Sequence, residues 1–382
     1  MQHTIVAREE GVYNAFPVLH QLADGRLSIG CISSPFADHW GMGGWSVFTS
    51  ADEGQNWDLS DDPALPFNWP GEGARERYDR LCGLLPDGTF MAVGSIGQEP
   101  WDPERRAEAE ARGLRIHDDE LITSAYGGRL VVGGHRLAVV RSADDGASWE
   151  RRIWTVPGYA SVVAFPRGTI LTDGTWLLPI YAYRADNSCD GLIFRSTDGG
   201  ESWSLHLAVE RVGSEWALIE TEPGRVLGHI RQDLWWGPPQ TRRMHTLEVW
   251  SEDGGRTWTQ PLETAFEGYP NHLLKLGDGR LLCSHGYRRQ PMGVRALISE
   301  DGGRSWDLDH EYVLRDDAGT VSNQWPDHHR QRHGSGGADV GYPLSVEVAD
   351  GRIVTAYYIT PADGTTHVAV THWHPDEDRP QQ

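Results

Sequence analysis

An eight-residue pattern, Ser-x-Asp-x-Gly-x-(Ser/Thr/Asn)-Trp, recurs five times: SADEGQNW from Ser50, SADDGASW from Ser142, STDGGESW from Ser196, SEDGGRTW from Ser251 and SEDGGRSW from Ser299. In each copy an Asp-x-Gly turn separates a β-branched or apolar run from a Trp. Asp and Gly suit the tight backbone of a hairpin tip, and the Trp can fold back onto the sheet. The copies start 92, 54, 55 and 48 residues apart. That is about one four-stranded propeller blade per copy, with the first gap too long for one.

A second repeat accounts for that gap. Turns followed by an apolar strand recur at Asp24-Gly25, Asp87-Gly88, Asp173-Gly174, Pro223-Gly224, Asp278-Gly279 and Asp350-Gly351, which implies six blades. Strands such as FPVLHQLADG enter these turns, strands such as RLSIGCIS leave them, and in five blades a third strand leads into a Ser-x-Asp box. The sixth ends in THVAVTHWH, and closing the ring calls for an N-terminal strand, TIVARE, to pair with it. The expectation is an all-β chain, one six-bladed β-propeller domain over residues 1–382. The 45 Gly, 22 Pro and 17 Trp, many turns and many flat side chains, agree with it.

Two insertions interrupt the pattern. The first, about 99–122, reads as a short surface helix over 103–112, with Asp102 as cap, Pro103 at its first position and Gly113 past its end, as decoration rather than a lid. The second, about 315–339, contains His328, His329 and His333; without partners at firm ligand spacing it reads as a solvated loop, and no metal is expected.

Composition narrows the function classes. Lys plus Arg is 34 against 55 for Asp plus Glu, a formal net charge of -21, which argues against nucleic acid or an anionic membrane surface as partner. Lys275 is the single lysine; the other basic residues are arginines, whose planar fork suits carboxylates. No apolar run approaches the roughly 18 residues of a membrane span. Cys31, Cys82, Cys189 and Cys283 lack C-x-x-C spacing and read as buried thiols. The N-terminal MQHTIVAREEGVYNAF has no basic segment followed by an apolar one, so a cytoplasmic protein is expected, with a secreted form left open.

A reaction needs one copy of each group, so the repeated boxes read as structural. The informative positions are those where blades in register differ. Eight residues before the six turns stand Phe16, Asp79, Phe165, Glu215, Pro270 and Tyr342, three of them polar where a neutral core calls for apolar groups.

With these boxes and residues the chain resembles the sialidases (neuraminidases) over nearly its whole length. The resemblance implies a six-bladed propeller and an exo-acting glycoside hydrolase for a terminal acidic sugar, with no cofactor. It implies Tyr342 of GYPLSVEVADG as nucleophile, Glu215 of SEWALIETEPGR as its base, and Asp38 of PFADHWGMGG as acid/base. Arg231 and, from GYRRQPMGVR, Arg289 ahead of Arg288 would clamp the substrate carboxylate, and Asp79 would touch the substrate. The residue types make chemical sense. A carboxylate nucleophile would be repelled by a sugar bearing a carboxylate on its anomeric carbon, and a neutral Tyr activated by Glu avoids that repulsion.

One departure stands out. The family's first arginine falls at NAFPVL, where this chain has Ala15. Either another arginine, Arg77 or Arg80, supplies the charge, or the substrate is not a common sialic acid. Two other readings stay open: a propeller glycosidase or polysaccharide lyase with His20, His39 or His272 as acid/base, and a non-catalytic carbohydrate-binding propeller. Trp40, Trp45, Trp235 and Trp236 are candidates for stacking on sugar rings.

Overall fold

The computed structural model describes residues 1–22, 24–35, 37, 44–61, 83–84, 90–117, 128–144, 148, 150–164, 168–186, 188–211, 213–232, 245–319, 322–324 and 339–381, with the backbone alone at 83–84, 90–99 and 135. The strands form six antiparallel sheets arranged as the blades of a propeller. Blade one runs Tyr13–Gln21, Leu27–Ser34, Trp45–Ser50 and Asp58–Ser60; blade two runs Gly83–Leu84, Phe90–Trp101, Leu130–Ser142 and Glu150–Thr155; blade three runs Ser161–Ala164, Trp176–Tyr183, Cys189–Ser196 and Ser204–Val209; blade four runs Trp216–Glu222, Arg225–Arg231, His245–Ser251 and Leu262–Glu267. Blade five runs Asn271–Lys275, Leu281–Tyr287, Met292–Ser299 and Tyr312–Ala318. Blade six takes three strands from the C-terminal part, Val340–Glu347, Ile353–Ile359 and His367–Trp373, and its fourth, Gln2–Ala7, from the N-terminal part. That strand pairs antiparallel with His367–Trp373 and closes the ring, the edge pairing anticipated for TIVARE.

The apolar core lies between blades. One cluster joins blades one and six through Tyr13, Ile29, Val354 and Val370, and further clusters span blades two and three, three and four, four and five, and five and six. At each of these five seams the facing blades bury apolar side chains against one another, as a stack of twisted sheets requires.

The boxes seal these seams. In the fourth, Ser251 donates to Asp253 at 2.9 Å, Gly255 N donates back to the Ser251 hydroxyl at 2.8 Å, Thr257 N donates to Asp253 at 2.9 Å, and Trp258 Nε1 donates to the Gly255 carbonyl at 3.2 Å. Gly255 has φ +83°, and a Cβ there would meet Leu177 of blade three at 2.7 Å. Gly303 of the fifth box faces Leu227 of blade four in the same way. The second box glycine is therefore fixed both by its turn and by the adjoining blade.

Because strands alternate in direction, each third strand ends at the face opposite the start of the innermost strand. The boxes occupy one face of the propeller, and the inner-strand starts the other.

The first insertion has a 3-10 turn, Pro103–Arg105, then a helix, Arg106–Ala111, with the Asp102 carboxylate accepting from Glu104 N at 3.1 Å. Trp101 packs with Ala109, Leu130 and Val132, and Arg105 lies over its ring at 4.0 Å. The second insertion's histidines lie outside the described residues.

Candidate active site

Glu215 precedes the innermost strand of blade four, and Arg231 ends the strand beside it. Arg231 N donates to the Glu215 carbonyl at 2.8 Å, and Ser214 N donates to the Arg231 carbonyl at 3.0 Å. The sequence permits this close approach at Gly213, where φ is +67° and a Cβ would stand 2.5 Å from that carbonyl oxygen.

Tyr342 is delivered by a different device. In blade six Gly341 pairs with Tyr358 and Leu344 with Ala356, so Tyr342 and Pro343 together oppose one residue. Pro343 has no N–H to give to the ladder, and the bulge bends the strand. Tyr342 takes φ 54°, a left-handed conformation uncommon for an aromatic residue. Phe16, followed by Pro17 in blade one, has the same bulge and φ 53°. The two rings meet edge to face at 4.7 Å, and Tyr358 lies 6.0 Å from Tyr342 on another side.

Thus held, the Tyr342 hydroxyl donates to Glu215 Oε1. Arg231 donates to Glu215 Oε2 at 2.7 Å and reaches the Tyr342 hydroxyl at 3.4 Å. Burial raises the Glu215 pKa, but Arg231, the Tyr342 hydrogen bond and Arg288 outweigh it and hold the carboxyl below its ordinary value. Burial and the Glu215 carboxylate push the Tyr342 phenol above its ordinary value, against Arg231 and Arg288. The result is a neutral phenol pointed at an ionised acceptor, the protonation states a Tyr nucleophile and its base require.

Tyr269 organises the positive side. Arg231 lies over its ring at 4.5 Å and Arg288 at 5.5 Å, while Arg288 Nε donates to the Val340 carbonyl of blade six at 3.1 Å. One aromatic ring thus receives two guanidinium groups that repel each other.

Residues 123–355 match the BNR repeat-like domain, well over half of the chain. The chain belongs to this family. It is a BNR propeller of the sialidase superfamily. A sialidase of Bacteroides fragilis (strain YCH46) is 25% identical over 198 residues, covering 47% of this chain and 35% of that protein. The chain therefore spans about a third of that relative's length. Among solved structures, a protein of unknown function from Dyadobacter fermentans DSM 18053 superposes with a TM-score of 0.73 at 22% identity, over 97% of both chains. The NanB sialidase from Streptococcus pneumoniae gives 0.61 at 11% identity, over 99% of this chain and 70% of its own. At such identities the likeness is one of fold.

In this BNR propeller the residues singled out from sequence fall into three groups. Glu215, Arg231 and Tyr342 are brought together. Arg289 is not with them: it is 46% exposed and forks onto Glu267, so its charge is already met at the surface. Arg288, its neighbour, turns inward instead. Asp38 and Asp79 lie outside the described residues, as do Arg77, Arg80, His39, Trp40, Trp235 and Trp236, while Trp45 is half-buried in the third strand of blade one. Ala15 is fully buried opposite Ile32.

The remaining histidine candidates are committed elsewhere. His20 is half-buried, and desolvation of its ring lowers its pKa to about 4, while His272 Nδ1 accepts from Ser345 N at 3.2 Å. Tyr269 was missed from sequence, although Gly-Tyr-Pro at 268–270 repeats Gly-Tyr-Pro at 341–343. Among the described residues no group of His, Cys, Asp and Glu is placed to hold a metal, and no helix is long and apolar enough to cross a membrane.

Proposed function

We propose that this BNR propeller is an exo-acting, retaining glycoside hydrolase of the sialidase type, removing a terminal acidic sugar such as sialic acid or a related ulosonic acid. The observation that carries the reading is the Tyr342 hydroxyl donating to Glu215, with Arg231 bonded to both. In the first step Tyr342 Oη bonds to the anomeric carbon and gives its proton to Glu215, while Asp38 protonates the departing glycosidic oxygen. In the second, Asp38 takes a proton from water, whose oxygen bonds to the anomeric carbon. The Tyr342 oxygen leaves and recovers its proton from Glu215.

Arg231 and Arg288 are the clamp for the substrate carboxylate, Arg288 taking the role that sequence gave to Arg289, and Asp79 remains a substrate-contacting group. The small apolar side chain of Ala15 favours a sugar acid held by two guanidinium groups.

The test is hydrolysis of fluorogenic glycosides of sialic acid, its deaminated and eight-carbon relatives, a uronic acid and rhamnose, by the wild type and Tyr342→Phe. Release from an ulosonic acid that collapses in the variant supports the reading. Activity on rhamnose or the uronic acid that survives Tyr342→Phe overturns it.

A further inference from the structure

Arg115 follows the insertion helix and is fastened to the start of blade three. Its N donates to the Ala160 carbonyl at 3.3 Å, and its own carbonyl accepts from Gly133 N at 2.6 Å. Gly133 makes room for this: a Cβ there would stand 2.9 Å from Ser161 Cβ and 3.1 Å from Arg115 Cβ. From this anchor the half-buried side chain lays its guanidinium over the Tyr183 ring at 4.4 Å.

Tyr183 ends the second strand of blade three, the position that Arg231 holds in blade four. Its ring meets Tyr181 edge to face at 5.8 Å. Tyr181 pairs with Gly191, on which the ring of Trp216, the residue after Glu215, is packed; a Cβ at Gly191 would stand 2.0 Å from Trp216 Cζ2. Arg115, Tyr183 and Tyr181 therefore form a row along the rim of the funnel that holds Glu215 and Tyr342, on the sector of blades two and three.

Among the described residues most arginines pair with carboxylates, yet Arg115 has no carboxylate partner there. A guanidinium stacked on a tyrosine keeps its outward N–H edge available for two oxygens of an anion. We propose that Arg115, seated on Tyr183, forms an accessory subsite for an anionic group, a sulfate or carboxylate, carried by the leaving group of the substrate. The assignment rests on the exo-acting reading above, in which the terminal sugar lies deep beside Tyr342 and the rest of the glycan crosses the rim.

The experiment compares sialyllactose with its galactose-6-sulfate analogue for the wild type, Arg115→Met and Arg115→Lys, and titrates free lactose 6′-sulfate against lactose by calorimetry. The expected result is a KM about tenfold lower for the sulfated substrate in the wild type. Arg115→Met abolishes that preference, Arg115→Lys restores part of it, and kcat on plain sialyllactose stays within about twofold throughout. No preference in the wild type, or one that survives Arg115→Met, overturns the subsite. If neither substrate is cleaved, the hydrolase reading fails and the titration decides. Binding of lactose 6′-sulfate that Arg115→Met removes upholds the subsite, and equal or absent binding refutes it.

Discussion

The Tyr342 hydroxyl and the Glu215 carboxylate, 127 positions apart in the chain and carried by blades six and four, share one hydrogen bond across the funnel. The bond joins two groups whose surroundings push them in opposite directions, a phenol kept neutral and a carboxyl kept ionised. Burial alone would raise both pKa values; Arg231 at 2.7 Å, the Tyr342 hydrogen bond and Arg288 bring the Glu215 carboxyl down, while the Glu215 carboxylate adds to burial in pushing the phenol up. Glu215→Gln keeps the shape and a hydrogen-bonding oxygen but removes the proposed base. It is expected to lower kcat by about 10²- to 10⁴-fold with KM nearly unchanged, read by steady-state kinetics on an aryl sialoside.

In the proposed reading the two neighbouring arginines separate clamp from surface. Removing the half-buried, inward-turned charge in Arg288→Met is expected to raise KM by roughly 30-fold or more, whereas Arg289→Met, which breaks an exposed pair with Glu267, leaves KM within about twofold. Tyr269→Leu removes the ring beneath both guanidinium groups and is expected to raise KM by about tenfold, with Tyr269→Phe near the wild type. Equal effects of Arg288→Met and Arg289→Met would contradict the assignment.

Much of the architecture is legible in the sequence because the devices that build it are local and repeated. A box must have Gly at its turn, and six Gly turns announce six blades before any contact is known. Glu215 and Tyr342 can be paired from sequence because both stand eight residues before their turns, and register transmits that position to the same end of each blade. Which of Arg288 and Arg289 turns inward is not legible this way. The choice depends on the strand ending at Tyr287, on a carbonyl of blade six that accepts from Arg288, and on Glu267 of blade four waiting outside for Arg289. These partners come from other blades, and no local pattern encodes them. Asp38 and Asp79 stay sequence-based expectations, since both fall outside the described residues.

Two glycines test the packing between blades. Gly255→Ala puts a Cβ 2.7 Å from Leu177 at a positive φ, and Gly191→Ala puts one within the ring of Trp216. Each is expected to cost about 1–3 kcal/mol in urea unfolding. Gly191→Ala should also lower kcat, because Trp216 adjoins Glu215, while Gly255→Ala on the opposite face should not.

Acid should loosen the seam between blades four and five. His285 and His229 are fully buried there beside Phe266, with Glu311 and Arg295 facing the first and Glu248 and Asn271 facing the second. Burial, with Arg295 and His229 adding to it, lowers the His285 pKa to about 3, and burial lowers that of His229. Above an unfolded pKa of about 6.5 neither state binds the proton and the full stability is present. As pH falls below that value the unfolded chain takes up protons that the folded one refuses, so stability declines until the folded pKa is passed. The expected slope approaches roughly 1.4 kcal/mol per pH unit per histidine. His285→Gln should flatten the decline between pH 6.5 and 5, measured by urea unfolding, and an unchanged slope would count against the burial argument.

The most direct measurement is peptide mapping by mass spectrometry after brief incubation with a 2,3-difluorinated sialic acid, which slows the breakdown of a glycosyl–enzyme intermediate. One sugar adduct is expected, on the peptide containing Tyr342, absent in Tyr342→Phe. An adduct on any other residue, or hydrolysis of a sialoside by a chain that never carries one on Tyr342, would contradict it.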